Sequence, residues 1–216
     1  MTTRKTPITT GEIYHIYNRG VDKRNIVMEP DDSRRFMRSV KVFNTIEPVG
    51  SLREIETELS SGSTAGEPLV DIIAYCLNPN HFHFILRQRV DGGISEFMKR
   101  LSGGYTWYFN NKYKRSGSLF QGRYKSLHVD TNEYLLQLSV YVNLNFRVHN
   151  YNDSVTKKFV YSSWDEYCGE SPQGVCEKSS VLGLFTSSQE YQSFAQQTIA
   201  GIYERKVLAQ ELGAGE

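Results

Sequence analysis

Cysteine is scarce in this 216-residue chain: Cys76, Cys168 and Cys176 are odd in number and form no CxxC pair. That pattern excludes a disulfide framework and a zinc-thiolate centre, and it fits a reducing compartment. Long apolar runs are missing as well. Hydrophobic residues make up 39% of the chain, and none of its stretches approaches the roughly 18 residues a membrane span requires. The first twenty residues, MTTRKTPITTGEIYHIYNRG, hold no apolar signal core, so a cytoplasmic protein that does not enter a membrane is expected. No internal repeat is visible. Net charge is nearly absent at +1, but acidic residues are unevenly spread. None occurs from Phe97 to Val129, a stretch that carries Lys99, Arg100, Lys112, Lys114, Arg115, Arg123 and Lys125. From Asp165 onward the bias reverses. A neutral average thus hides a basic middle, the asymmetry expected when one face meets phosphates.

Against these absences stands one dense stretch, IIAYCLNPNHFHFILRQ. Residues two apart on a strand share a face, so His81 and His83 project together while Phe82 turns to the packed side. Two imidazoles so placed make half a site for a divalent ion. Asn78-Pro79-Asn80 breaks the apolar run just before them and puts the pair at a strand end, where sites form.

The remaining pattern gives a coarse order of elements. Glu12 to Arg19 reads as a first strand. Pro30-Asp31-Asp32 precedes a helix whose Phe36, Met37, Val40, Phe43 and Ile46 recur at helical spacing. Residues 48–68 are rich in Ser, Gly, Thr and Glu and read as an inserted mobile loop. Gly92-Gly93 opens a helix through about Lys112, and Gly117 to Asp130 looks extended. Thr131 caps the apolar helix NEYLLQLSVYVNLNFRV, and the last sixty residues read as short helices.

The basic middle interleaves its cations with Phe97, Tyr105, Trp107, Tyr108, Phe109, Tyr113, Phe120 and Tyr124. That mixture suits a single strand of nucleic acid, because cations track the backbone while rings stack on unpaired bases. The helical spacing of Phe97, Leu101, Tyr105 and Tyr108 is equally that of a core face. In the turn from Lys112 to Lys125, Gly117 and Gly122 allow close approach to a phosphate. In the last apolar helix, Tyr141 and Asn145 are one turn apart. Asn145 can offer a carbonyl oxygen to a metal, and Tyr141 a phenol as nucleophile. Tyr134, seven residues earlier, is the rival phenol. His15 and His128 read as strand-surface or core-edge residues rather than ligands.

Four blocks occur in order: YHIYNRGV, LNPNHFHFIL, GSLFQGRYKS and YLLQLSVYVNLN, with a weaker echo at YSSWDEY. Together they resemble the single-tyrosine HUH transposases, in particular the REP-associated tyrosine transposase branch related to the insertion-sequence-200 group. The resemblance spans roughly residues 10–150. It implies an α+β fold, a ferredoxin-like antiparallel sheet with packed helices (the HUH endonuclease fold), over 1–150, with 151–216 as a short, mostly helical C-terminal extension. It implies that His81, His83 and Asn145 hold Mg2+ or Mn2+ and that Tyr141 is the nucleophile. The activity implied is nicking and strand transfer of single-stranded DNA beside a hairpin, through a 5′-phosphotyrosine and without a small-molecule cofactor. The protein would act as a monomer or dimer. Lys112, Lys114, Arg115, Arg123 and Lys125, with Asn18 and Arg19, are the expected DNA contacts. Phe146 stands where the family usually has proline, so the helix is expected to run on past its usual end. A catalytically silent hairpin-binding protein of the same fold is the alternative, and a small-molecule hydrolase a third reading.

Overall fold

The structure, a computed structural model, describes residues 7–50, 66–151, 153–170 and 174–204, with the backbone of 205–211. Most of the loop read at 48–68 lies outside the described residues. Five strands, β1 (Ile13–Arg19), β2 (Val70–Leu77), β3 (His81–Gln88), β4 (Lys125–Val129) and β5 (Tyr161–Ser162), form one sheet in the order β4-β1-β3-β2-β5. Every neighbouring pair is antiparallel. The helices are α1 (Pro30–Val42), α2 (Gly93–Lys112), α3 (Asn132–Asn143), α4 (Asn145–Val148), α5 (Trp164–Tyr167), α6 (Ser179–Leu182) and α7 (Ser188–Glu211). The α+β layout of an antiparallel sheet with packed helices is therefore the observed one.

Both faces of the sheet are covered. One face presents Tyr14, Ile16, Phe82, Phe84 and Leu86 to Phe36, Val40, Phe97 and Leu101 of α1 and α2. The other presents Ile73, Cys76 and Ile85 to Leu135, Leu138 and Val142 of α3 and to Tyr191, Ala195 and Ile199 of α7. This double coverage explains why β2 and β3 read as nearly continuous apolar runs instead of alternating ones. It also explains the helical spacing of Phe97, Leu101 and Tyr105, all fully buried. Those aromatics are core.

One buried carboxylate ties the first layer together. Asp32 is fully buried. Its Oδ2 accepts the backbone N–H groups of Met28 (2.9 Å) and Glu29 (3.0 Å) and the Tyr113 hydroxyl (2.6 Å). Its Oδ1 accepts from Lys112 Nζ at 2.7 Å and the Tyr108 hydroxyl at 2.9 Å. Burial pushes the Asp32 pKa up, but these donors outweigh it and hold the group below the ordinary carboxylate value. Asp32→Ala is expected to cost about 3 kcal/mol, because it strands Lys112 and the helix-start amides. Urea denaturation of the purified variant checks this. The stability Asp32 supplies is present above the ordinary carboxylate pKa and lost as pH falls through its lowered value.

Three expectations change. The helix after Thr131 does not run on. It stops at Asn143, with Leu144 at φ −111°, ψ 15°, and restarts as α4. The Asn143 carbonyl accepts the Ser162 hydroxyl at 2.5 Å, while Arg147 N–H turns to Leu144 O at 2.9 Å. A hydroxyl from β5 thus takes up the carbonyl that the break in the helix leaves free. Of Gly117 to Asp130, only Lys125–Val129 is strand; Gly117 (φ +83°) and Gly122 (φ +69°) make turns before it. Nor are the last sixty residues all short helices. α7 spans 24 residues, and buried Tyr191 hydrogen-bonds Ser139 (3.1 Å) and Asn143 (2.8 Å). Among the described residues no helix is long and apolar enough to cross a membrane.

Candidate active site

The turn Asn78-Pro79-Asn80 delivers β3 into the sheet with His81 as its first residue, as its turn chemistry implies. Register then decides the neighbours: His81 faces Arg19 across β1, and His83 faces Tyr17 of β1 and Cys76 of β2. The side chains of His81 and His83 lie on the sheet face covered by α3, with ring centroids 5.2 Å apart. Because α3 crosses that face, Tyr141 lies edge-on to the His83 ring at 5.5 Å. The break at Leu144 brings Asn145 to His81, with Oδ1 2.9 Å from His81 Nε2. Residues 81, 83, 141 and 145, read as one constellation in the sequence, are brought together.

The polar network fixes their chemistry. His81 Nδ1 donates to Asn80 Oδ1 at 2.6 Å, which leaves Nε2 as an electron pair. Asn78 Nδ2 donates to both His81 Nε2 (2.9 Å) and Asn145 Oδ1 (2.7 Å). On the inner side, His83 Nδ1 and His15 Nε2 share a proton across 2.8 Å in a buried hydrogen bond. Burial holds the pKa of His81 below the ordinary value, and that of His83 well below it. His15 is lowered by burial to about 4. All three imidazoles are therefore neutral at pH 7. Tyr141 is held above its ordinary pKa chiefly by burial, while the Asn145 side chain pulls the other way. Its phenol keeps its proton until something takes it.

A divalent cation fits this donor set. His81 Nε2 and Asn145 Oδ1 are neutral donors directed at one another, as two ligands of one ion would be. The Nδ2 of Asn145 is buried and makes no well-formed hydrogen bond among the described residues; its influence on Tyr141 comes from that amide turning toward the phenol. No group of three His, Cys, Asp or Glu is placed to hold a metal among the described residues. An ion here would rest on imidazoles and an amide oxygen.

Four residues were not singled out for this site in the sequence. His15 is buried beside His83, at the core edge and not on the strand surface; Tyr17 stacks on both rings, at 4.8 Å from His15 and 5.6 Å from His83. His149 lies 4.6 Å from His81, centroid to centroid, and Asn78 bridges the pair described above. The spacing of His15 and Tyr17 put them on one face, but only the pairing of β1 with β3 shows which face. His128 is a surface residue, paired with Glu12 at 2.8 Å. Tyr134 sits at the start of α3, 37% exposed. Neutral His15 has a consequence for stability. An unfolded imidazole takes a proton near pH 6.5, whereas folded His15 does so only near 4, so stability should fall as pH drops between those values. The loss from His15 is on the order of 3 kcal/mol. Urea midpoints measured from pH 7 to 4 should show it, with a flatter profile in His15→Gln.

The expected DNA contacts divide. Lys112 is committed to Asp32 and to Glu29 (3.0 Å), and this internal pairing removes it from the set. Lys125 lies over the Tyr17 ring at 5.9 Å, and Arg19 donates to Gln121 at 2.5 Å, on the histidine side of the sheet. Arg115 is half-buried against Phe109 and bonded to Asn110. Lys114 and Arg123 are exposed. Asn18 is buried and donates to Gly122 O at 3.1 Å, holding the turn in place.

Residues 54–145 match the family model described as Transposase IS200 like. That stretch resembles the IS200-like transposases. It contains His81, His83, Tyr141 and Asn145, and it bears out the resemblance carried by the ordered blocks. The chain is also similar to a solved structure described as "Structure of the REP associates tyrosine transposase bound to a REP hairpin", at 11% identity and a TM-score of 0.47, over 81% of this chain and 88% of that one. No curated protein matches the chain.

Proposed function

We propose that the protein is a metal-dependent nickase and strand transferase of single-stranded DNA, acting beside a hairpin as an IS200-like transposase. The observation that carries this reading is the convergence of two neutral imidazoles, an amide oxygen and a phenol at one end of the sheet. His81, His83 and Asn145 would hold Mg2+ or Mn2+. When bound, such an ion supplies Lewis acidity at a scissile phosphate. His15 orients the His83 ring and, by accepting from its Nδ1, would leave His83 Nε2 for the ion; Asn80 Oδ1 accepts from His81 Nδ1 and does the same for His81. Asn78 holds Asn145 Oδ1 toward His81. Tyr141 Oη attacks phosphorus and gives up its proton. The bond to the 3′-oxygen breaks, and that oxygen leaves as a 3′-hydroxyl. The 5′-phosphotyrosine keeps the ester, so a later 3′-hydroxyl can reverse the step and join strands. Arg19 and Lys125, on the same face, would track the backbone of the entering strand.

An oligonucleotide cleavage assay tests the reading. Single-stranded DNA should be nicked with Mg2+ or Mn2+ present, the duplex form spared, and a chelator should stop the reaction. Equal cutting of duplex, or cutting in chelator, contradicts it.

A further inference from the structure

A cavity of about 1390 Å³ opens between α2 and the turn that leads into β4. Asn18 reaches it, and on β1 Asn18 alternates with Tyr17, which faces the histidines. The cavity therefore lies on the other side of the sheet from Tyr141. Its volume exceeds the roughly 300–1,000 Å³ of a typical small-molecule site. Buried Met98 and Phe120 line it together with Trp107, which is 69% exposed. Among the described residues no carboxylate lines it. Arg123 makes no ion pair among the described residues, and Lys99 has only a solvated pair with Glu96 on its own helix, at 3.1 Å. Such a pair is readily exchanged for a phosphate.

Gly103 supplies an independent observation. A glycine inside a helix lowers its stability and normally has a reason. Gly104 has one, since a Cβ there would lie 2.9 Å from the Phe43 ring. Gly103 has none of that kind: a Cβ would meet nothing within 4 Å, and the position lines the cavity. Its missing side chain leaves the cavity open one helical turn from Trp107.

We infer that this groove is a second nucleic-acid site, which binds unpaired nucleotides of a single strand by stacking a base on Trp107 with phosphates at Arg123 and Lys99. A flat exposed ring beside cations, on a lining that holds no carboxylate among the described residues, is the combination that suits a single strand. The inference rests on the reading of the chain as a single-strand DNA enzyme, but its site is separate from Tyr141 and is tested without metal.

The experiment uses the full chain in EDTA, with labelled oligo-dT and a duplex of equal length, read by anisotropy and tryptophan fluorescence. Oligo-dT should bind and quench the fluorescence, and the duplex should bind more weakly with little quenching. Trp107→Ala and Gly103→Leu should each weaken oligo-dT binding about tenfold, the worth of one stacked base. Gly103→Leu should melt no lower than the parent, because its side chain enters open space. Unchanged affinity in both variants, or equal quenching by duplex, overturns the groove. Quenching that survives Trp107→Ala in full also overturns it, since Trp164 would then be the reporter. The covalent adduct separates the two readings. Adduct formation with unchanged affinity in both variants leaves the enzyme standing and removes the groove. Trp107-dependent binding with no adduct under Mg2+ or Mn2+ does the reverse.

Discussion

Tyr141→Phe should bind single-stranded DNA as the parent does and form no covalent product, with cleavage reduced by about 10⁴-fold or more. The ring that packs edge-on against His83 stays, and only the hydroxyl facing Asn145 is lost. Removing one hydroxyl of this kind costs about 1 kcal/mol of stability, too little to unfold the chain. Tyr134→Phe is the matched control. Tyr134 is raised in pKa by burial and by its neighbours Tyr17 and Asp130, and its backbone N–H is held by the Thr131 cap. Among the described residues it has no imidazole pair or amide oxygen arranged around it, so the variant should react at nearly the parent rate. Gel separation of denatured protein and oligonucleotide reads both variants.

His83→Ala should lose Mn2+ binding by 100-fold or more and lose cleavage with it. His83 is 8% exposed, and its Nδ1 is occupied by His15. One nitrogen remains to face a metal. The variant also leaves His15 without its partner, a cost of about 1–3 kcal/mol, so the fold must be checked by its melting curve. His15→Gln sharpens the interpretation: a glutamine can still hydrogen-bond His83 but cannot fix its tautomer in the same way, and metal affinity should fall by roughly 10–100-fold. Titration calorimetry reads both. Unchanged Mn2+ affinity in His83→Ala would move the metal elsewhere.

Much of this was legible in the residue order, for reasons that can be named. Period-two spacing put His81 and His83 on one face, the Asn-Pro-Asn turn placed them at a strand end, and Thr131 marked the start of α3. Those are local effects. The partners of His83 are not local: His15 is 68 residues away, and only the β1–β3 register sets it beside His83. The stop at Leu144 is not legible locally, because the Ser162 hydroxyl that takes the Asn143 carbonyl comes from another strand. The sequence presents Lys112 as a free cation because charge along a chain does not show its counterion, and Asp32 lies 80 residues away. The core role of Phe97, Leu101 and Tyr105 was in the periodicity. The exposure of Trp107 beside them was not, since it depends on which side of α2 meets the sheet.

The account turns on which atom carries the DNA. Incubating the protein with a cleavable single-stranded oligonucleotide and Mn2+, digesting the denatured adduct and sequencing the linked peptide by mass spectrometry gives the answer directly. The predicted result is a single modified peptide with the 5′-phosphate on Tyr141. DNA on Tyr134, or an adduct that persists in Tyr141→Phe, would contradict the assignment of this site.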